Sequence, residues 1–246
     1  MIILKSEAEI AKIREGGEIA SYVLNRIRRL IRPGVTTGFL DKIAHNEVKK
    51  MGASPAFLGY RGFPASICTS INYEVIHGIP NSRRLKEGDI VKIDIGILHK
   101  GYYADAADTF CVGKVGGLAK RLISVARKAL DVGISKAKKG NRIRDISSAI
   151  QKLVEIEGFS VVRAYCGHGI GKELHEEPEV PNFVAEDCNV EIKPGMVFCI
   201  EPMINAGTPD IEVLSDGWTV VTRDRKLSVH TEHMVAITER GTEILT

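Results

Sequence analysis

Apolar side chains recur at helical spacing through the first fifty residues. Ile10, Ile13, Val23, Leu24, Ile27 and Leu30 mark one stripe, which Pro33-Gly34 brings to an end. Ser6, with Glu9 three residues on, gives that helix a capping-box start. Phe39, Leu40, Ile43, Ala44, Val48 and Met51 form a second stripe after Thr37, closed by Gly52. The pattern then turns strand-like over Ser66–Ile71, Glu74–His77 and Ile90–Leu98. Helical spacing resumes from Leu118 to about Lys138 and again from Arg144 to Glu157, with stops at Gly140-Asn141 and Gly158. Strand formers, Gly and Pro follow to the end.

Helix, helix, strands therefore occurs twice, which predicts an internal duplication. Gly34 and Gly140 are 106 residues apart, as are Gly52 and Gly158. Gly88 leads to Ile93-Asp94 as Gly195 leads to Ile200-Glu201, at an offset of 107. The expected fold is α+β in class. Two pseudo-symmetric halves, about 6–115 and 116–246, share one domain over 1–246, and an acidic strand from each half meets at the middle.

Composition narrows the field. With 246 residues, 44% of them hydrophobic, the chain can bury a full core and is not disordered. No apolar run is long enough for a membrane helix, and the N-terminus, acidic after four residues, does not read as a secretory signal. A net charge of +3 is too even to mark DNA as a substrate. The five cysteines, Cys68, Cys111, Cys166, Cys188 and Cys199, are odd in number and lack C-x-x-C spacing. Reduced thiols in the cytoplasm are expected.

The acids carry the chemistry. Val91, Ile93, Ile95 and Ile97 alternate toward a buried face, leaving Asp94 on the other with Lys92 and Gly96. A two-residue turn at His99-Lys100 would set Asp94 opposite Asp105, with Cβ atoms about 4.5–5.5 Å apart. Facing carboxylates repel and resist desolvation, and a cation between them removes both costs. The other reading of this hairpin is one edge acid in solvent with a slipped register. Glu201 ends the apolar run Met196–Ile200, and Glu232 shares a face with Met234 and Ala236. Four acids with one imidazole suit two divalent ions such as Mn, Fe, Co or Zn. His168, His175 and His77, each beside glycine or acids, are the candidate histidines. His45, His99, His230 and His233 read as turn, edge or helix surface.

These motifs give the chain a specific resemblance. Asp94 with Asp105, Gly167-His168-Gly169-Ile170-Gly171, His175-Glu176-Glu177-Pro178, Ile200-Glu201-Pro202-Met203 and Thr231-Glu232-His233 together resemble the type I methionine aminopeptidases of the pita-bread fold. The match spans nearly the whole chain. It leaves out the large N-terminal domain of the related prolidases and the helical insertion of type II enzymes. The resemblance implies a curved central antiparallel sheet and two divalent ions (Co, Mn, Fe or Zn) held by Asp94, Asp105, His168, Glu201 and Glu232. Asp105 and Glu232 would be shared between the ions. Glu201, His175 and His77 would be catalytic, His77 and His175 touching substrate. Tyr60, Phe63, Cys68, Leu174 and Trp218 would form the pocket for the first side chain; Leu174 stands where relatives often carry a bulkier or aromatic residue.

The implied reaction removes the N-terminal methionine of nascent polypeptides, with the free α-amine on one ion. Two cations about 3.5–4 Å apart lower the pKa of a shared water toward roughly 7. The resemblance also implies a monomer. A proline-directed aminopeptidase or dipeptidase would use the same ligands. A non-catalytic binding module of this fold would lose some of them. Arg26, Arg28, Arg29 and Arg32, with Lys136, Lys138, Lys139, Arg142 and Arg144, are either solvated helix faces or a weak ribosomal RNA contact.

Overall fold

In a computed structural model, which describes residues 1–186 and 189–246, helices α1 (Glu7–Arg28) and α2 (Thr37–Lys50) lead into five strands. These are β1 (Ser54–Pro55), β2 (Cys68–Ile71), β3 (Glu74–Ile76), β4 (Ile90–His99) and β5 (Tyr102–Cys111). Helices α3 (Gly117–Lys136) and α4 (Ile143–Ile156) open the second run of the same pattern. Its strands are β6 (Ser160–Val161), β7 (Gly167–Gly169), β8 (Glu176–Val180), β9 (Val197–Ile200) and β10 (Met203–Asn205), then β11 (Ile211–Val213), β12 (Val220–Thr222), β13 (Ser228–His230), β14 (His233–Thr238) and β15 (Gly241–Ile244). The capping box forms as expected: the Glu9 N–H donates to Ser6 Oγ, and the Ser6 N–H donates to Glu9 Oε2 at 2.9 Å. α1 stops at Arg28, short of Pro33, and Cys188 lies outside the described residues.

Among the described residues every strand pair is antiparallel. The two larger pieces are β4 flanked by β1, β2 and β5, and β15-β14-β9-β7-β8. The Glu232 N–H donates to Ala107 O at 2.8 Å and ties the β14 piece to β5. α1 and α2 cover one face through Ile13, Val23, Ile27 and Leu40, packed on Ile93, Ile95 and Ile97. α3 and α4 cover the other through Leu122, Ile146 and Ile150, packed on Phe198, Ile200 and Val235. This is the pita-bread arrangement, helices outside and carboxylate-bearing strand ends within.

The β4–β5 register differs from the expectation. The two-residue turn is Lys100-Gly101, both with positive φ (50° and 78°), and not His99-Lys100. Paired positive φ is what a tight hairpin matching strand twist requires, and glycine at the second position supplies it without strain. Asp94 therefore faces Ala107, and Asp105 faces Gly96. Because the slip is two residues, side-chain parity is kept and both acids stay on one face as diagonal neighbours.

Candidate metal centre

The strands deliver the four acids to one point. Oxygens of Asp94, Asp105 and Glu232 lie within 4.8 Å of one another, and Glu201 follows directly on the end of β9. Asp105, Glu201 and Glu232 are buried, and Asp94 Oδ1 is shielded although its residue is half-buried. Burial first, and then mutual repulsion, pushes the carboxyls of Asp105, Glu201 and Glu232 well above their ordinary range. Burial raises Asp94 to about 7. Asp94 Oδ1, Asp105 Oδ1 and Glu232 Oε1 have no hydrogen-bond partner, and among the described residues no Lys or Arg pairs with these acids. Converging buried acids with orphaned oxygens fit a divalent cation, which neutralises them and fills their coordination.

One imidazole is prepared to join them. His168 Nδ1 lies 2.9 Å from Gly169 O, so the N–H belongs there and bare Nε2 faces the acids, 3.6 Å from Glu201 Oε1 and 4.0 Å from Asp105 Oδ2. Burial, then His175, lowers its pKa to about 3, which keeps it a neutral donor. The flanking glycines are a steric need: a Cβ on Gly167 would sit 2.2 Å from Cys199 O, and one on Gly169 2.2 Å from Glu177 O.

His175 stacks obliquely on His168 with ring centres 4.3 Å apart, and its Nδ1 is 2.8 Å from the Tyr60 hydroxyl. Burial, then Arg61, lowers its pKa. His77 holds a left-handed backbone (φ 58°), costly for a residue with a Cβ, and its ring meets Tyr165 edge-on at 5.6 Å. Burial, then His175, lowers it to about 4. Phe63 and Trp218 meet edge to face at 5.1 Å beside buried Cys68 and Leu174.

All twelve site residues expected from the sequence line one cavity of about 440 Å³. Four residues were not anticipated. Cys199 presses its thiol on Glu232 and lies within 4.8 Å of ligand atoms of His168 and Glu232. Arg61 and Glu179 stand on the cavity wall. His230, expected at an edge or surface, is 2% exposed with Nε2 3.7 Å from Glu201 Oε2. Its burial comes from β5 and β10, distant in sequence, which no local pattern announces. Cys68, Cys111, Cys166 and Cys199 are free thiols, as expected.

The sequence matches that of Metallopeptidase family M24 over residues 11–239. A methionine aminopeptidase of Clostridium perfringens is 51% identical over 246 residues, covering 100% of this chain and 99% of its own. The crystal structure of methionine aminopeptidase from Rickettsia prowazekii superposes with a TM-score of 0.98 at 44% identity over 100% of both chains. The prolidase from Pyrococcus furiosus shares the fold at a TM-score of 0.82 and 24% identity, with 99% of this chain matching 65% of that one.

Proposed function

Because the chain belongs to metallopeptidase family M24, we propose that it removes the N-terminal methionine of newly made polypeptides by metal-dependent hydrolysis. The observation that carries this reading is the meeting of an orphaned carboxylate cage and an apolar wall in one cavity. Full-length identity of about half to a methionine aminopeptidase supports it. The catalytic domain is the whole of 1–246, built of halves 6–115 and 116–246.

Asp94, Asp105, His168, Glu201 and Glu232 would hold two divalent ions (Co, Mn, Fe or Zn), Asp105 and Glu232 serving both. Bound there, divalent ions supply Lewis acidity and a water acidic enough to attack near neutral pH. The chain does the rest. Glu201 accepts the proton of the attacking water and hands it to the leaving amine. His175 receives the Tyr60 O–H at Nδ1 and so presents Nε2–H to the oxyanion that forms at the scissile carbonyl. His77, pinned between Tyr165 and Trp218, donates to the nitrogen on the leaving side. Phe63, Cys68, Leu174, Tyr60 and Trp218 take the methionine side chain. Each methylene is worth about 1–3 kcal/mol, so the choice of Met over Leu rests on the shape of that wall.

Among the described residues no helix is long and apolar enough to cross a membrane. We assign the chain a cytoplasmic, monomeric existence, with weak ribosome contact through the exposed basic helix ends at Arg26–Arg32 and Lys136–Arg144. The deciding experiment offers Met-Ala-Ser and Ala-Pro peptides to protein supplied in turn with Co, Mn, Fe and Zn. Release of methionine is expected, and cleavage confined to Ala-Pro would replace this reading with a proline-directed one.

A further inference from the structure

His230 is a buried imidazole beside the cage that the reaction above leaves unused. It ends β13, and neither ring nitrogen has a hydrogen-bond partner. Buried polar groups are almost always bonded, so an orphan aimed at a reactive carboxylate needs a reason. The facing acceptor is Glu201 Oε2, 3.7 Å from Nε2, while His168 Nε2 stands 3.6 Å from Oε1. The carboxylate thus lies between two imidazoles, one at each oxygen. The 3.7 Å gap exceeds the roughly 2.7–3.2 Å of a formed N–H···O bond, yet a small carboxylate rotation closes it.

The ring stands on a fixed base. Thr109 Oγ1 accepts from the His230 N–H at 3.1 Å and donates to the His230 carbonyl at 2.7 Å, fastening β13 to β5. Two residues earlier, Lys92 Nζ donates to Ser228 O at 3.0 Å. Met203 pairs with His230 on the other side. His230 therefore cannot drift away with its strand.

We propose that His230 is a positioning residue for Glu201, donating Nε2–H to Oε2 and so turning Oε1 toward the cage. This rests on the reading of Glu201 as ligand and proton carrier. Its test compares His230→Gln, which keeps a neutral N–H donor, with His230→Leu, which does not. For the cobalt-loaded enzyme, kcat and KM on Met-Ala-Ser are measured with the visible Co(II) absorption; cobalt affinity of the metal-free protein is measured by calorimetry. His230→Leu is expected to lower kcat and cobalt affinity by about 10–100-fold, with KM nearly unchanged and an altered Co(II) band. His230→Gln should recover most of both. Should His230→Leu not fold, His230→Asn, whose amide is too short to reach Oε2, should show the same loss. Wild-type kcat and cobalt affinity in the donor-less variant, or equal impairment of His230→Gln, would overturn the proposal. An active Glu201→Gln enzyme would instead remove the reading of Glu201 while leaving the cobalt affinities to decide on His230.

Discussion

Glu201 meets two imidazoles and lies within the repulsion of Asp94 and Asp105. Neutralising it removes a proton carrier and also relieves a buried like-charge contact. Glu201→Gln is therefore expected to lower metal-replete turnover by about 10²–10⁴-fold. The melting temperature of the metal-free protein should stay level or rise. Steady-state kinetics and a thermal melt of the same preparation check both halves, and retained turnover would contradict the role. At this scale the sequence was informative because the acids and glycines sit in short motifs whose chemistry is local. His230 and Cys199 were illegible because their burial depends on strands distant from them in sequence.

Among the elements, the β4–β5 hairpin shows what survives an error of register. A turn placed one residue early shifts every pair by two but leaves each side chain on its face, so the shared acidic face was readable while the partners were not. Lys100-Gly101 held the missing signal, since glycine at the second turn position favours that hairpin. A second element-level device escaped the sequence altogether. Lys5, in the arm before α1, is buried with Glu176 at 2.6 Å, and its N–H donates to Gly195 O. Glu176 adjoins His175 and Leu174, so this pair anchors the loop that carries them. Lys5→Met leaves the buried Glu176 carboxylate with only the Glu173 N–H and no cation, and is expected to cost about 3–5 kcal/mol in urea unfolding, with a fall in turnover as His175 loosens. Unchanged stability and turnover would show the anchor to be dispensable.

For the whole molecule, the cage is a source of instability that a cation relieves. The folded-state carboxyl of Asp94 sits at about 7 against an ordinary 3.8, and Asp105, Glu201 and Glu232 shift the same way. A group raised by folding contributes stability at low pH that disappears as pH climbs through its folded value. Below about 6.5 the buried histidines, shifted downward, oppose this slope. Above that value they are neutral in both states, and Lys92, lowered to about 7, stands alone against the upshifted acids. The metal-free protein should therefore lose melting temperature as pH climbs from about 6.5 through about 7. Saturating Mn should raise the melting temperature and flatten the slope, contributing about 2.7 kcal/mol at a hundredfold excess over Kd. A flat metal-free profile would mean the acids are not held as close as described.

The most direct measurement is methionine release from Met-Ala-Ser as a divalent ion is titrated into metal-free protein, run beside Asp105→Asn. Asp105 is buried among Asp94, Glu201 and Glu232, and its carboxylate also accepts from the Ala106 N–H, a contact that an Asn side-chain oxygen retains. Turnover should be absent at the start and rise with added ion to a plateau in the parent chain. It should stay near the baseline in the variant. Full turnover without an ion, or an identical titration for Asp105→Asn, would contradict the claim that these side chains form a cation-dependent peptidase centre.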